Sequence, residues 1–217
     1  VLRDVASVVS AKGMRGLQVA DEAESINKLI PELNAQGVNA IVAVVHQGGS
    51  TPEPFDKQDC SQLGGDIVDV AKRLDPAVDV LISAHSHQGY LCKVGPLLVT
   101  QGNSYGHLLT HLTLQVTPGQ HRVASIQALN LLADPARYPQ DPALAQLQQE
   151  VEARSNQVLL KPVGAIAASP IARRADAAGE MPIGDLIADA HLAGGRANGA
   201  QIAFMNTGGI RSDLALE

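Results

Sequence analysis

Aromatic side chains make up only 2% of the 217 residues, and tryptophan is missing altogether. Such rings are a common means of holding a planar ligand, so the chain is short of one. Basic residues are also scarce, with 16 Lys and Arg against 22 Asp and Glu, a net charge of −6 and no long basic run. That balance argues against an electrostatic grip on nucleic acid or an anionic membrane. No apolar stretch approaches the roughly 20 residues that a membrane helix needs. There are two cysteines and no C-x-x-C, which excludes a zinc ribbon, and their count alone does not set the redox compartment. Val1-Leu2-Arg3-Asp4 shows neither a basic start nor the apolar centre of an export leader, and no methionine opens the chain. An internal piece of a longer protein is therefore expected.

Hydrophobic residues are plentiful at 45%, and their spacing predicts an α/β pattern at first. Ile26, Leu29, Ile30 and Leu33 form a helical stripe across Asp21–Asn34, with Pro31 inside it and Gly37 as a stop. Val38–Val45 reads as a fully buried strand ending at His46-Gln47-Gly48-Gly49, and residues 50–60 read as a loop. Ser61–Leu74 reads as a helix and Val78–Ala84 as a second buried strand, ending at His85. Two helix–strand units thus deliver histidines to strand carboxyl ends, where sites in such folds gather.

The pattern then changes. Gly95–Thr100, His107–Val116 and His121–Leu129 read as short strands, with Thr117-Pro118-Gly119-Gln120 as a hairpin turn. Residues 131–142 hold three prolines and read as a linker, after which Asp141-Pro142 opens a helix with Leu144, Leu147 and Val151. Leu159–Ala168 reads as a strand, Pro182–Leu192 as a helix and Ala200–Met205 as a strand before Asn206-Thr207-Gly208-Gly209-Ile210-Arg211.

In an extended strand, residues i and i+2 point the same way, so His85 and His87 would present imidazoles toward one point or two nearby ions. His46, ending another buried strand, would join them if the strands were neighbours. Imidazole suits Zn, Mn and other transition metals. The bland reading makes each histidine an ordinary polar residue at a strand end.

At this point the residues match a family. "IVAVVHQGG" (41–49) followed by "LDPAVDVLISAHSHQGYLC" (74–92) resembles the later motifs of calcineurin-like metallophosphoesterases, in particular the 5'-nucleotidase/2',3'-cyclic phosphodiesterase group. "GEMPIGDLIADA" (179–190) and "FMNTGGIR" (204–211) resemble the C-terminal nucleotidase domain of the same proteins. The resemblance implies the C-terminal half of a metallophosphoesterase β-sandwich flanked by helices over residues 1–130. A linker and connecting helix over 131–158 and the start of an α/β nucleotidase C-terminal domain over 159–217 would follow. The family's earlier Asp-x-His, Gly-Asp and Asn-His-Glu/Asp motifs do not occur ahead of His46. Its base-stacking aromatic pair would lie past Glu217, in keeping with the scarcity of rings.

The resemblance also implies roles. His46 and His85 match ligands of one metal ion and His87 a ligand of the other, with Ala84 in place of the family's usual Gly. Asn206, Gly208, Gly209 and Arg211 match a motif that contacts nucleotide base, ribose or phosphate, with Thr207 replacing its first Gly. Arg173, or its neighbour Arg174, stands where the family has a substrate-contacting arginine. Two divalent ions (Zn, Mn or similar) in the longer enzyme, a nucleotide substrate, and a periplasmic, cell-surface or secreted location are implied. In such a compartment Cys60 and Cys92 are expected to form a disulfide. The chain alone is expected to be inactive, with an edge strand open to pairing with a second copy. The alternative is a non-catalytic nucleotide-binding or interaction module that keeps the fold.

Overall fold

The computed structural model describes residues 5–117, 123–162, 164 and 170–215. The chain divides into two compact units, Val1–Pro142 and Ala143–Glu217.

The first unit is built on a four-stranded sheet with spatial order β1-β2-β4-β3. Its strands are β1 (Val42–Val44), β2 (Val80–Ile82), β3 (Gly89–Val94) and β4 (Leu97–Gly102). β1 and β4 run parallel to β2, and β3 pairs antiparallel with β4. The continuous apolar runs are explained by position: Val80 and Leu81 in β2 are fully buried, as strands covered on both faces are. One face packs on helices α2 (Glu22–Asn27), α3 (Ile30–Ala35) and α4 (Asp66–Arg73) through Ala23, Ile30, Ile67, Val70, Leu81 and Val99. The other face, through Val80, Leu91 and Leu98, meets the two-stranded ribbon of β5 (Leu108–Val116) and β6 (Val123–Leu132) at Leu112, Leu114, Ile126 and Ala128. β1 is an outer strand, with Val44 73% exposed. A short helix, α1 (Val5–Val8), precedes these elements.

Several expectations are corrected here. Asp21–Asn34 is two helices: Asp21 caps α2 by accepting from the Glu24 N–H at 3.0 Å, and the chain breaks before α3, whose first turn carries Pro31. Proline lacks the N–H that a helix interior requires and is tolerated in a first turn, so it restarts the helix instead of continuing it. The α4 helix starts at Asp66, after the Gly64-Gly65 turn. Gly95 opens no strand; with φ +61 it turns β3 into β4, and β3 is a strand the sequence reading missed. Residues 118–122, which include most of the expected hairpin turn and His121, lie outside the described residues.

In the second unit, α5 (Pro142–Leu159) buries none of its residues. Leu159 ends that helix and starts no strand, and residues 163 and 165–169 lie outside the described ones. α6 (Pro182–Gly195) buries Ile183, and Ile210 is buried as well. Ala200–Met205 is not a strand, and Ile202 and Phe204 are 72% and 86% exposed. A strand forms only where a neighbour takes up its backbone groups, and no described segment does so there.

Candidate metal and nucleotide sites

β1 and β2 are neighbours, so their carboxyl ends bring His46 and His85 together. The two imidazole centroids lie 5.3 Å apart with the rings edge to face. Beyond the strands the two segments stay side by side: the Val45 N–H donates to the Ile82 carbonyl at 2.9 Å and the Ala84 N–H to the Gln47 carbonyl at 3.1 Å. This approach leaves no room for side chains between them. A Cβ on Gly48 would sit against the Ala84 carbonyl and 2.6 Å from Ser86 Oγ.

β2 ends at Ile82, and both His85 (φ +74) and His87 (φ +54) adopt left-handed backbone. The strand alternation used to align the two histidines therefore does not operate. The ring of His87 instead meets Tyr105 edge-on at 5.5 Å, and Tyr105 meets His107 at 6.2 Å. Two non-glycine residues in this conformation within three positions mark a loop held by its surroundings.

Two imidazoles on one ion, with metal–nitrogen bonds of about 2.1 Å, place their centroids roughly 5 Å apart. In spacing and donor type the His46–His85 pair fits as two ligands of a larger set. Among the described residues no group of three His, Cys, Asp or Glu side chains is arranged to hold an ion.

Cys60 and Cys92 form a disulfide, both fully buried and 32 residues apart in sequence. Cys60 also pairs with the outer edge of β3: its N–H donates to the Leu91 carbonyl at 3.0 Å, and its carbonyl accepts from the Lys93 N–H at 3.1 Å. The bridge therefore covers a sheet edge and closes a loop that contains α4, β2, His85 and His87. On the chain-entropy account such a loop stabilises by roughly 3–4 kcal/mol.

In the second unit, Ile171 and Leu214 exchange backbone hydrogen bonds at 2.9 and 3.1 Å. The Arg173 N–H donates to the Asp213 carboxylate at 2.7 Å. The strand-like contact thus lays the Arg173 segment beside the segment that follows Arg211, and both arginines are exposed. Asn206 precedes a single 3-10 turn, Thr207–Gly209, whose residues are exposed. Ile210 then turns inward, its Cδ1 3.4 Å from where a Cβ on Gly184 would be. Sequence reasoning gave no role to the Ser86, Tyr90 and Gln101 side chains; Tyr90 and Gln101 are buried, and polar residues inside otherwise apolar strands were the available signal.

A sheet with ligand-type side chains just beyond the ends of adjacent parallel strands, followed by a second unit with exposed arginines, makes this an α/β protein. Residues 161–217 match the family described as 5'-nucleotidase, C-terminal domain. A solved 5'-nucleotidase precursor from Thermus thermophilus is similar over 90% of this chain and 39% of that one, at TM-score 0.62 and 27% identity. Endonuclease YhcR of Bacillus subtilis (strain 168) is 26% identical over 99% of this chain and 17% of its own length. Cell wall protein Lmo0130 of Listeria monocytogenes serovar 1/2a is 26% identical over 99% of this chain and 29% of its own. The resemblance to 5'-nucleotidases read from the motifs holds, and the chain is nucleotidase-like at this level. It spans less than a third of either curated relative.

Proposed function

We propose that the protein carrying this chain is a metal-dependent phosphohydrolase of nucleotides, of the 5'-nucleotidase/2',3'-cyclic phosphodiesterase kind. Residues 1–130 would be the later part of a metallophosphoesterase domain, 131–158 a linker and helix, and 159–217 part of the nucleotidase C-terminal domain. The observation that carries this reading is the meeting of His46 and His85 at the ends of adjacent parallel strands. In this reading the pair holds one divalent ion, and His87, aligned by Tyr105, serves a second. Ions so bound supply an activated water and neutralise phosphate oxygens. The Arg211 and Arg173 guanidinium groups offer planar forks of donors to phosphate or ribose. Gly208 and Gly209, beside Asn206, let a ligand approach the backbone.

The buried disulfide and the cell-wall relative support a location outside the cytoplasm. No described helix is long and apolar enough to cross a membrane. The open edge of β1 is where a second copy would pair, which sedimentation of the purified chain would read. The endonuclease relative raises phosphodiester bonds of nucleic acid as a substrate; the net charge of −6 favours a small nucleotide instead. For the 217 residues alone, the lack of a three-donor group among the described residues favours the non-catalytic binding module.

The test is phosphate release from a 5'-nucleotide by the full-length protein with added Mn or Zn. Release that is abolished by chelation and by His85→Ala is the expected result. Release indifferent to both would remove the metal assignment.

A further inference from the structure

Below the two histidines lies a polar network that the proposed chemistry does not use. Ser86, between His85 and His87, places its hydroxyl 2.5 Å from the Gly49 carbonyl and 3.1 Å from the Gln101 side-chain amide. Tyr90 Oη lies 2.5 Å from Ser83 Oγ and 3.2 Å from the same amide. Burial pushes the Tyr90 hydroxyl up from its ordinary pKa, and the Ser83 hydroxyl and the Gly49 backbone act against that rise. Ser83 Oγ in turn lies 2.9 Å from the Thr100 carbonyl. Tyr90 and Gln101 are 0% and 2% exposed, so each of these groups has to find its partner inside the protein.

Counting protons orders the network. A serine hydroxyl has one proton, and the Gly49 and Thr100 carbonyls only accept. The Ser86 proton therefore goes to Gly49 and the Ser83 proton to Thr100. Tyr90 therefore donates to Ser83. Both Ser86 and Tyr90 then need a donor from Gln101, and an amide nitrogen has two protons to give. With oxygen toward the hydroxyls, Gln101 Nε2 is a buried donor without a partner. Turning the amide by 180° leaves its shape unchanged and gives both protons acceptors. What remains is one under-used oxygen, a more common feature of proteins than an orphan N–H.

We propose that Ser86, oriented by the Gln101 amide that Tyr90 also contacts, clamps the Gly49 carbonyl and so positions His46 against His85. Without Ser86 the parallel ladder would end at the Ala84–Gln47 bond, because the Ser86 N–H turns back to the Ala84 carbonyl at 2.9 Å. The side chain supplies the next rung. Gly49 lies three positions after His46, and Gly48, with no room for a Cβ, transmits the constraint. These are positioning residues, and their assignment rests on the metal site proposed above.

The test uses Ser86→Ala and Tyr90→Phe in the full-length protein, with two readouts. In the metal-free protein, contacts between the His46 and His85 rings are followed by NMR; both variants should weaken or lose them. With Zn²⁺ alone, chelator competition should show affinity reduced about 10–100-fold, as for other groups that orient ligands. Ring contacts and affinity unchanged in both variants, with only the melting temperature lowered, would overturn the proposal and leave the network a structural one. A wild-type protein that binds no Zn²⁺ would sink the metal site but not the clamp, which the ring contacts still judge. Should Ser86→Ala not fold, Tyr90→Phe decides, since it removes a Gln101 contact and leaves the Ser86 hydroxyl in place.

Discussion

Between Val1 and Pro142, β2 runs with Val80 and Leu81 sealed from water and the Cys60–Cys92 bridge fully buried. Between Ala143 and Glu217, the long helix α5 buries nothing, and Ile183 and Ile210 are the buried apolar side chains among the described residues. The first unit holds its candidate ligands on segments just beyond two strands that a core and a covalent bridge keep in place. The second presents Arg211 and Asn206 from an exposed turn, anchored chiefly by Ile210 and the Ile171–Leu214 contact. A metal site tolerates little error in donor position, whereas an arginine reaching a phosphate is long and adaptable. The two regions differ in burial and cross-linking in the way their proposed tasks differ.

Four substitutions would sharpen or break that contrast. The largest effect is expected at His85→Ala in the full-length protein: metal content and kcat should fall by on the order of a hundredfold or more, since loss of a ligand exceeds the cost of losing its supports. Retained metal, read by elemental analysis, would dissolve the distinction between the units. Next comes Cys92→Ser, which should cost the first unit roughly 3–4 kcal/mol. Hydrogen exchange read peptide by peptide should show the loss across residues 60–92 and none beyond 143. Arg211→Ala should raise KM about tenfold with kcat nearly unchanged, the mark of binding shared by ground and transition states. A large fall in kcat at unchanged KM would give the second unit a direct part in the chemistry. Smallest is Leu147→Ala on α5: the side chain is 52% exposed, and stability in urea should change by about 0.5 kcal/mol or less. A larger loss would mean that α5 buries this face in the folded protein.

Some elements were legible because their reasons are local. The apolar run that became β2 is a buried strand as its residues suggest, whereas the one at 38–45 yields only the short outer strand β1 with Val42 and Val44 exposed; the Asp21 cap is readable from residue type. Pro182 opens α6 as its fixed φ favours. Others depended on neighbours. The sequence pattern places Gly95 in the following strand and passes over β3, whereas a glycine at φ +61 belongs in the turn between them. The apolar run at 200–205 reads as a strand, yet pairing, and not propensity, decides whether one forms.

By itself the sequence determined which chemistry is at hand: three histidines after apolar runs, Arg211 beside a Gly-Gly turn and Arg173 well upstream of it, two cysteines, and motifs shared with 5'-nucleotidases. Residue type sets donor identity, and short motifs survive without reference to the rest of the fold. Which donors meet was left to the tertiary structure. It set β1 beside β2, so that His46 faces His85, and it bent the next residues into left-handed backbone, so that His87 turns to Tyr105. It also gathered Ser83, Ser86, Tyr90 and Gln101 around Gly49 from three separate stretches of chain. Strand order and buried hydrogen bonding are properties of contacts between distant segments, and the spacing of residues along one segment does not carry them.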